Sequence, residues 1–306
     1  MSGRLPYEAA VTPSDPLSLV NLNRLMAISR GQVDTTIALL DGPVATSHPE
    51  LTSTNIRELP GRLRGTCERA TSIACMHGTF VAGILSAQRH SSAPAICPDC
   101  TLLVRPIFAE IISANQQMPS TTPQDLAMAI VDCIDAGAHI LNLSAALTQG
   151  SAGDERELVQ ALDHAARHGV IVVAAAGNQG TVGSSAITRH PSVIPVGACD
   201  LRGRPISYSN LGHSIGRRGL LAPGDGITSL AVNGNPTTFA GTSAAAPFVT
   251  GAIALLRSLF PTAPPAALKL AITTGSGTRR TTVIPPLLNA WAAYETLLTT
   301  YPGTCV

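Results

Sequence analysis

Short runs of apolar and β-branched residues recur along the chain, bounded by polar or glycine-rich segments. Such runs predict buried strands. Helical patterns separate several of them, and an alternation of strands and helices is typical of an α/β fold with a mostly parallel central sheet. The strand-like runs cover residues 36–40, 101–107, 140–143, 170–175 and 193–198.

Four segments have the spacing of apolar residues that predicts helices. The first of them stops at Gly137, a natural helix end. The second lies between the strand-like runs 140–143 and 170–175, which predicts a right-handed strand–helix–strand crossover. The third is apolar on all sides, so we expect it to be buried. In chain order, the four segments are Pro123–Ala136, Asp154–His168, Thr242–Leu259 and Pro286–Leu298.

Segments rich in glycine and proline separate these elements, and we interpret them as loops. No internal repeat or linker divides the chain. We therefore expect one domain over residues 34–306. The preceding extension, residues 1–33, is expected to hold a short helix and is too short for a folded propeptide. The predicted loops are residues 41–66, 90–100, 177–192 and 222–236.

The composition is that of a compact, ordered protein. Of its 306 residues, 45% are hydrophobic and 13% are charged, and the formal net charge is +1. No basic run is interleaved with aromatic residues, so we expect no nucleic-acid partner. The apolar run 169–177 is too short to span a bilayer, and the N-terminus lacks the pattern of a secretory signal. We therefore expect a cytoplasmic protein with no membrane partner.

The chain has seven cysteines, so at least one is unpaired or pairs outside the chain. Cys97 and Cys100 could supply half of a zinc site, with Cys67 and Cys75 as the other half. Disulfides or free thiols are the favoured interpretation. No acidic cluster has the spacing of calcium ligands. We expect no essential metal and no cofactor.

Two segments carry candidate acid–base residues. Asp41 directly follows the run 36–40, and ligands of parallel sheets bind at the carboxyl ends of strands. His77 lies in the small-residue segment Met76–Ile84, which is predicted to begin a helix with His77 in its first turn. Each residue has an ordinary alternative, since Asp-Gly forms turns and a lone histidine is more often a surface or core residue.

Two further segments carry a candidate nucleophile and a candidate hydrogen-bond donor. Ser243 lies at the start of the predicted buried helix, where free backbone N–H groups and the helix dipole favour negative charge. Asn178 follows a strand within Gly177–Gly180, and its amide could donate to a developing oxyanion. The ordinary alternatives are a helix cap and an asparagine turn.

Together, these four segments resemble those of the subtilisin-like serine peptidases in content, order and spacing over residues 34–260. The resemblance implies a three-layer αβα fold and a peptide or protein substrate. It implies that Ser243 attacks the peptide carbonyl while His77, oriented by Asp41, transfers the proton. Asn178 and the Ser243 N–H would bind the oxyanion. The implied substrate-binding residues are Leu143, Ser144, Ala145, Ala146, Ala176, Gly177 and Thr242.

Four positions depart from the usual pattern of that family. Gly42 follows Asp41 where a hydroxyl or amide residue is common, so we expect one hydrogen bond to Asp41 to be missing. The other three departures remove no member of the triad. Phe80 replaces the second histidine of the histidine motif, Ala244 replaces a methionine, and Phe248 replaces a histidine.

The segment Ile37–Leu51 and the helical pattern Leu19–Leu25 resemble the PatA/PatG-type cyanobactin maturation proteases, which process ribosomally made precursor peptides in the cytoplasm. The macrocyclising type carries a helical insertion between the aspartate and the histidine, whereas only residues 42–76 intervene here. We therefore expect hydrolysis, as in PatA-like leader removal. The alternatives are a cytoplasmic subtilase of broad specificity, a macrocyclase and an inactive peptide-binding homologue.

Overall fold

The computed structural model describes residues 15–51, 55–110, 120–144, 152–274 and 282–301. The strands in this part of the chain are β1 Thr36–Leu40, β2 Ile56–Glu58, β3 Thr101–Val104, β4 Ile140–Leu143, β5 Ile171–Ala175, β6 Val193–Cys199, β7 Leu220–Pro223, β8 Ile227–Leu230 and β9 Pro236–Phe239. The first seven form a parallel sheet in the order β2-β3-β1-β4-β5-β6-β7. The last two form a separate antiparallel hairpin.

Helices pack on both faces of the sheet. Within the described residues they are α1 Pro16–Leu19, α2 Leu22–Ile28, α3 Ile73–Ser86, α4 Pro123–Asp135, α5 Ala152–Arg167, α6 Ala186–Arg189, α7 His213–Arg218, α8 Thr242–Leu259, α9 Pro265–Thr274 and α10 Ala290–Thr300. A 3₁₀ turn covers Pro49–Leu51.

Alternating side chains of β1 show how the layers form. Ile37 and Leu39 belong to a core cluster with α3 and α8, whereas Ala38 and Leu40 belong to a second cluster with α4 and α5. The central strands are therefore buried on both faces, which explains why they are continuous apolar runs in the sequence. The expected three-layer α/β fold with a parallel sheet is confirmed.

Most predicted elements are present, with differences at their ends. The helix that holds His77 begins at Ile73, so His77 lies in its second turn and not in its first. The last helix begins at Ala290 and not at Pro286, because the Asn289 side chain caps it by accepting a hydrogen bond from Ala292 N at 3.1 Å. The strand predicted over 101–107 ends at Val104, two residues before Pro106, which has no backbone donor.

Two predicted loops contain strands. Residues 41–66 include β2, and residues 222–236 include the end of β7, all of β8 and the first residue of β9. Strands β2 and β9 are half exposed, so they lack the apolar run that identifies a buried strand. Helix α9 was also not predicted from the sequence.

Helix α8 is the described helix that is long and apolar enough, by length and composition, to cross a membrane. However, 89% of it is buried inside the protein, so its apolar surface serves packing. The helix begins at the edge of the sheet where the parallel strands have their carboxyl ends. Asp41, Ser144 and Asn178 follow β1, β4 and β5, and the fold therefore brings them to this same edge.

Candidate active site

Asp41 lies at the carboxyl end of β1 and is fully buried. Its Oδ1 accepts a hydrogen bond from Gly42 N at 2.6 Å and lies 2.7 Å from His77 Nδ1. Its Oδ2 has no hydrogen-bond partner among the described residues. Among the described residues, the carboxylate is thus held through one oxygen only, as expected from the missing hydroxyl or amide side chain at position 42.

Gly42 is required by the close approach of α3. A Cβ atom at this position would lie 1.9 Å from the carbonyl oxygen of Ala74, in the first turn of that helix. Gly78 has the reciprocal role, because its Cβ would lie 2.4 Å from Gly42 O. The two glycines let the chain after Asp41 lie directly against the helix that carries His77.

His77 connects the aspartate with Ser243. Its Nδ1 faces Asp41 Oδ1 at 2.7 Å, and its Nε2 lies 2.8 Å from Ser243 Oγ. Burial, the largest influence, lowers the pKa of His77, but the charge of Asp41 and the hydrogen bond to it together raise the pKa above its ordinary value of 6.5. The imidazole therefore has a site for a proton on each side and a carboxylate that stabilises its protonated form.

Ser243 is the second residue of α8 and is half buried. Its backbone N–H is one of the first four of the helix, which have no partner within the helix. Gly241 precedes the helix with a φ of +139°, in the region that favours glycine, and a Cβ there would lie 2.8 Å from Asn178 Nδ2. The glycine therefore allows the asparagine side chain to approach the start of α8.

Asn178 follows β5 and is exposed. Its Oδ1 accepts hydrogen bonds from Thr242 N at 2.9 Å and from Thr242 Oγ1 at 3.1 Å. These bonds fix the amide plane, and the donor atom Nδ2 lies next to Gly241, two residues before Ser243. The Thr242 hydroxyl also accepts from Gly177 N at 3.1 Å, so it links the end of β5 to the start of α8.

The residues implied to bind substrate have different environments. Leu143 is fully buried in the second core cluster, where its backbone pairs with β1 and β5. Ser144 is buried, and no described residue hydrogen-bonds its Oγ. Ala145 and Ala146 lie outside the described residues. These two assignments therefore remain predictions.

Ala176 and Gly177, the predicted opposite wall, have backbones that are bonded within the protein. Ala176 N donates to Val196 O at 2.9 Å, and Ala176 O accepts from Asn210 Nδ2 at 3.1 Å. Gly177 O accepts from Asn210 N at 2.8 Å. Asn210 was not predicted from the sequence, since its role depends on a contact between distant segments.

The cysteines are arranged differently from the zinc alternative. Cys67 and Cys75 form a disulfide, whereas Cys97 and Cys100 are buried free thiols. Cys67, Cys75 and Glu110 have ligand atoms within 4.8 Å of one another, but no described group of potential ligands includes both cysteine pairs. The described residues therefore do not bring together the four cysteines that the zinc alternative requires. Cys133 and Cys199 are also free, which agrees with the expectation of unpaired cysteines.

The sequence matches one protein family and two subtilisins over most of its length. A family model described as the Subtilase family matches residues 32–287. Subtilisin DY of Bacillus licheniformis is 29% identical over 251 residues, which cover 80% of this chain and 85% of that protein. Subtilisin Savinase of Lederbergia lenta is 31% identical over 226 residues, which cover 74% of this chain and 77% of that protein.

The fold of this chain is also similar to those of solved protein structures. The protease domain of PatA has a TM-score of 0.78 and 31% identity, with 90% of this chain and 98% of that chain covered. The prenylagaramide maturation protease PagA has a TM-score of 0.77 and 30% identity, with the same coverage. The PatG macrocyclase in complex with peptide has a TM-score of 0.78, but at 21% identity this likeness concerns the fold alone.

Proposed function

The chain belongs to the subtilase family of serine proteases, and we propose that it cleaves a ribosomally synthesised precursor peptide in the cytoplasm. The observation that carries the proposal is the continuous hydrogen-bonded series Asp41, His77 and Ser243. The likeness to PatA and PagA, each covered over 98% of its chain, supports a precursor peptide as the substrate. Among the described residues, four buried free thiols fit a reducing compartment, whereas the Cys67–Cys75 disulfide does not.

In the proposed reaction, Ser243 Oγ attacks the carbonyl carbon of the scissile peptide bond. Its proton moves to His77 Nε2, which lies 2.8 Å away. Asp41 holds the other ring nitrogen and stabilises the imidazolium. His77 then gives the proton to the leaving amine as the C–N bond breaks, and an ester on Ser243 remains. Water, activated by the same histidine, hydrolyses the ester and restores the serine.

The negative charge that develops on the carbonyl oxygen needs donors that are already oriented. We assign Asn178 Nδ2 and the backbone N–H of Ser243 to this role. The bonds from Thr242 to Asn178 Oδ1 support the assignment, because they orient the amide without using its donor atom. The position of Ser243 at the start of the 18-residue helix α8 adds the favourable end of a helix dipole.

The extended peptide is proposed to bind beside the chain that follows β4, with residues 143–146 on one side and Ala176 and Gly177 on the other. The internal hydrogen bonds of Ala176 and Gly177 mean that this side contributes a rigid wall and not a pairing strand. Backbone pairing is therefore assigned to the segment that follows Ser144, whose own N–H donates to Leu40 O at 3.3 Å. Thr242 contributes by holding Asn178.

Hydrolysis is preferred to macrocyclisation because only residues 42–76 separate the aspartate from the histidine. Much of this segment is used structurally. Residues 44 and 66 form an isolated parallel bridge, β2 joins the sheet, and α3 already begins at Ile73. Little chain remains for a helix that would shield the ester from water.

The test uses a short precursor-like peptide encoded beside the gene, incubated with the wild-type protein and with Ser243→Ala. We expect the wild type to release two linear fragments whose masses sum to the substrate plus one water, and the variant to release none. A cyclic product would establish a macrocyclase instead. Cleavage of casein at many sites with no preference for the precursor would establish a protease of broad specificity.

A further inference from the structure

Phe239 lies beside the catalytic histidine although the motifs do not include it. It ends β9, four residues before Ser243, and its ring centroid is 6.0 Å from that of His77 at an interplanar angle of 47°. The same ring packs edge-on against Phe80, with centroids 4.9 Å apart and an angle of 86°. Phe80 is fully buried and follows His77 by three residues. The two side chains therefore lie about one turn apart on the same face of α3, and Phe239 packs against both.

The hairpin that carries Phe239 is attached to the same helix. Ser229 Oγ, on β8, donates a buried hydrogen bond to Phe80 O at 2.8 Å. Gly83 makes room for this contact, since a Cβ there would lie 2.4 Å from Ser229 Oγ. Strand β9 pairs with β8, with Phe239 opposite Ile227. The position of the Phe239 ring relative to α3 is therefore set by a buried hydrogen bond and a strand pair.

The imidazole needs such a neighbour because its carboxylate partner is weakly supported. Asp41 Oδ1 is shared between Gly42 N and His77 Nδ1, and no described residue bonds Oδ2. A carboxylate that is held at one oxygen restrains the tilt of the imidazole less than one held at both. Aromatic edges and faces prefer defined geometries, so the Phe80 and Phe239 pair can supply the missing restraint.

We propose that Phe239 is a positioning residue that holds the His77 ring in line with Ser243 Oγ and excludes water from one ring face. The proposal rests on the proposed serine-protease mechanism, in which the Ser243 proton moves to His77 Nε2. The proposal also explains why a phenylalanine is present at position 80, where the family usually has a second histidine. The Phe80 ring supports the ring of Phe239.

The pH dependence of the reactivity of Ser243 is set by the ionisable groups around His77. Asp41 reaches it from the end of β1, and the neutral Ser243 reaches it from α8. Neither β8 nor β9 contains a titratable residue, and Cys75 of α3 is in a disulfide. Loss of the Phe239 ring therefore adds no charge but admits water. Since burial lowers the pKa of His77, admitting water moves that pKa upward.

The test measures the rate at which a fluorophosphonate probe inactivates the enzyme as a function of pH. This small reagent reports the activated serine without requiring peptide binding. We expect Phe239→Ala to lower the inactivation constant at least about 10-fold and to move its acid midpoint to higher pH, because small misalignments of reacting groups are costly. Phe239→Tyr, which keeps the ring, should restore both values. Thr238→Ala, an exposed change on the same strand, should alter neither.

Three results would overturn the proposal. One is an inactivation constant and an acid midpoint in Phe239→Ala that both equal those of the wild type. Another is a lower rate with an unmoved midpoint that Phe239→Tyr does not restore. The third is failure of the wild type itself to react, which would overturn the serine-protease mechanism and the positioning role with it. If Phe239→Ala does not fold, Phe239→Leu removes the ring but keeps apolar bulk beside His77; it is expected to lower the inactivation constant with a smaller shift of the midpoint, and a wild-type constant in it would overturn the positioning role.

Discussion

Replacing Gly42 with alanine tests whether the close approach of α3 sets the geometry of the triad. The φ of Gly42 lies outside the left-handed region, so alanine is allowed by the backbone and any effect is steric. The new Cβ would lie 1.9 Å from Ala74 O, whereas real Cβ contacts are essentially never under 3.0 Å. The contacting atom belongs to the helix backbone and cannot rotate away.

The size of the required shift follows from these distances. Moving Ala74 O from 1.9 to 3.0 Å displaces the first turn of α3 by at least 1.1 Å relative to the chain after Asp41. His77 lies three residues further along the same helix. This shift is larger than the roughly 0.5 Å by which its contacts of 2.7 Å to Asp41 and 2.8 Å to Ser243 could lengthen and remain good hydrogen bonds. A displacement of this size costs about 10²-fold in rate, and overpacking costs about 1–3 kcal/mol in stability.

The assay compares Gly42→Ala with Gly183→Ala in urea denaturation and in the rate of fluorophosphonate inactivation. Gly183 is the matched control because its φ is not positive and nothing lies within 4 Å of its added Cβ. We expect only Gly42→Ala to lose stability and reactivity. Gly42→Ser should also lose both because it carries the same Cβ, although its hydroxyl could approach Asp41 Oδ2, which has no hydrogen-bond partner among the described residues. Wild-type stability and reactivity in Gly42→Ala would show that α3 does not depend on the glycine for its position.

Three further predictions concern the reaction. Asn178→Ala should lower kcat by about 10²-fold to 10³-fold with little change in KM, as measured by steady-state kinetics. A raised KM with an unchanged kcat would contradict a role in the transition state. The acid midpoint of the pH profile of kcat/KM should lie above pH 6.5, because Asp41 raises the pKa of His77 and the neutral imidazole is the active base. A midpoint below pH 6.5 would contradict this prediction. The raised pKa of His77 also stabilises the folded state below pH 6.5. This stabilisation is lost as the pH rises through the pKa that His77 has in the folded state. Since position 244 has no thioether, mild peroxide should spare the activity and should inactivate Ala244→Met faster.

Sequence reasoning identifies the buried parts of this fold more readily than its surface. Strands β1 and β4 have the predicted bounds because they are fully or almost fully buried and read as apolar runs. Strand β9 alternates between exposed and half-buried positions over four residues and gives no such signal. The hairpin it forms depends on contacts with α3 from more than a hundred residues away, which no local pattern contains.

The same distinction holds at the candidate site. Motifs around Asp41, His77 and Ser243 suggest that the three residues act together, and the structure places them in hydrogen-bond contact. Gly42 was expected to leave Asp41 with one bond fewer, and Oδ2 indeed lacks a partner among the described residues. The reason for the glycine, the Ala74 carbonyl, is a tertiary contact and could not be read from the chain. The neighbourhood of Phe239 and His77 is of the same kind.

Mass-spectrometric mapping of the adduct of a fluorophosphonate probe shows directly whether Ser243 is the nucleophile of an active serine protease. We expect a single adduct on Ser243 in the wild type and none in Ser243→Ala. In His77→Ala the adduct should form much more slowly, because Ser243 would lose the base 2.8 Å from its Oγ. An unlabelled wild-type protein, or an adduct that persists in Ser243→Ala, would contradict the claim.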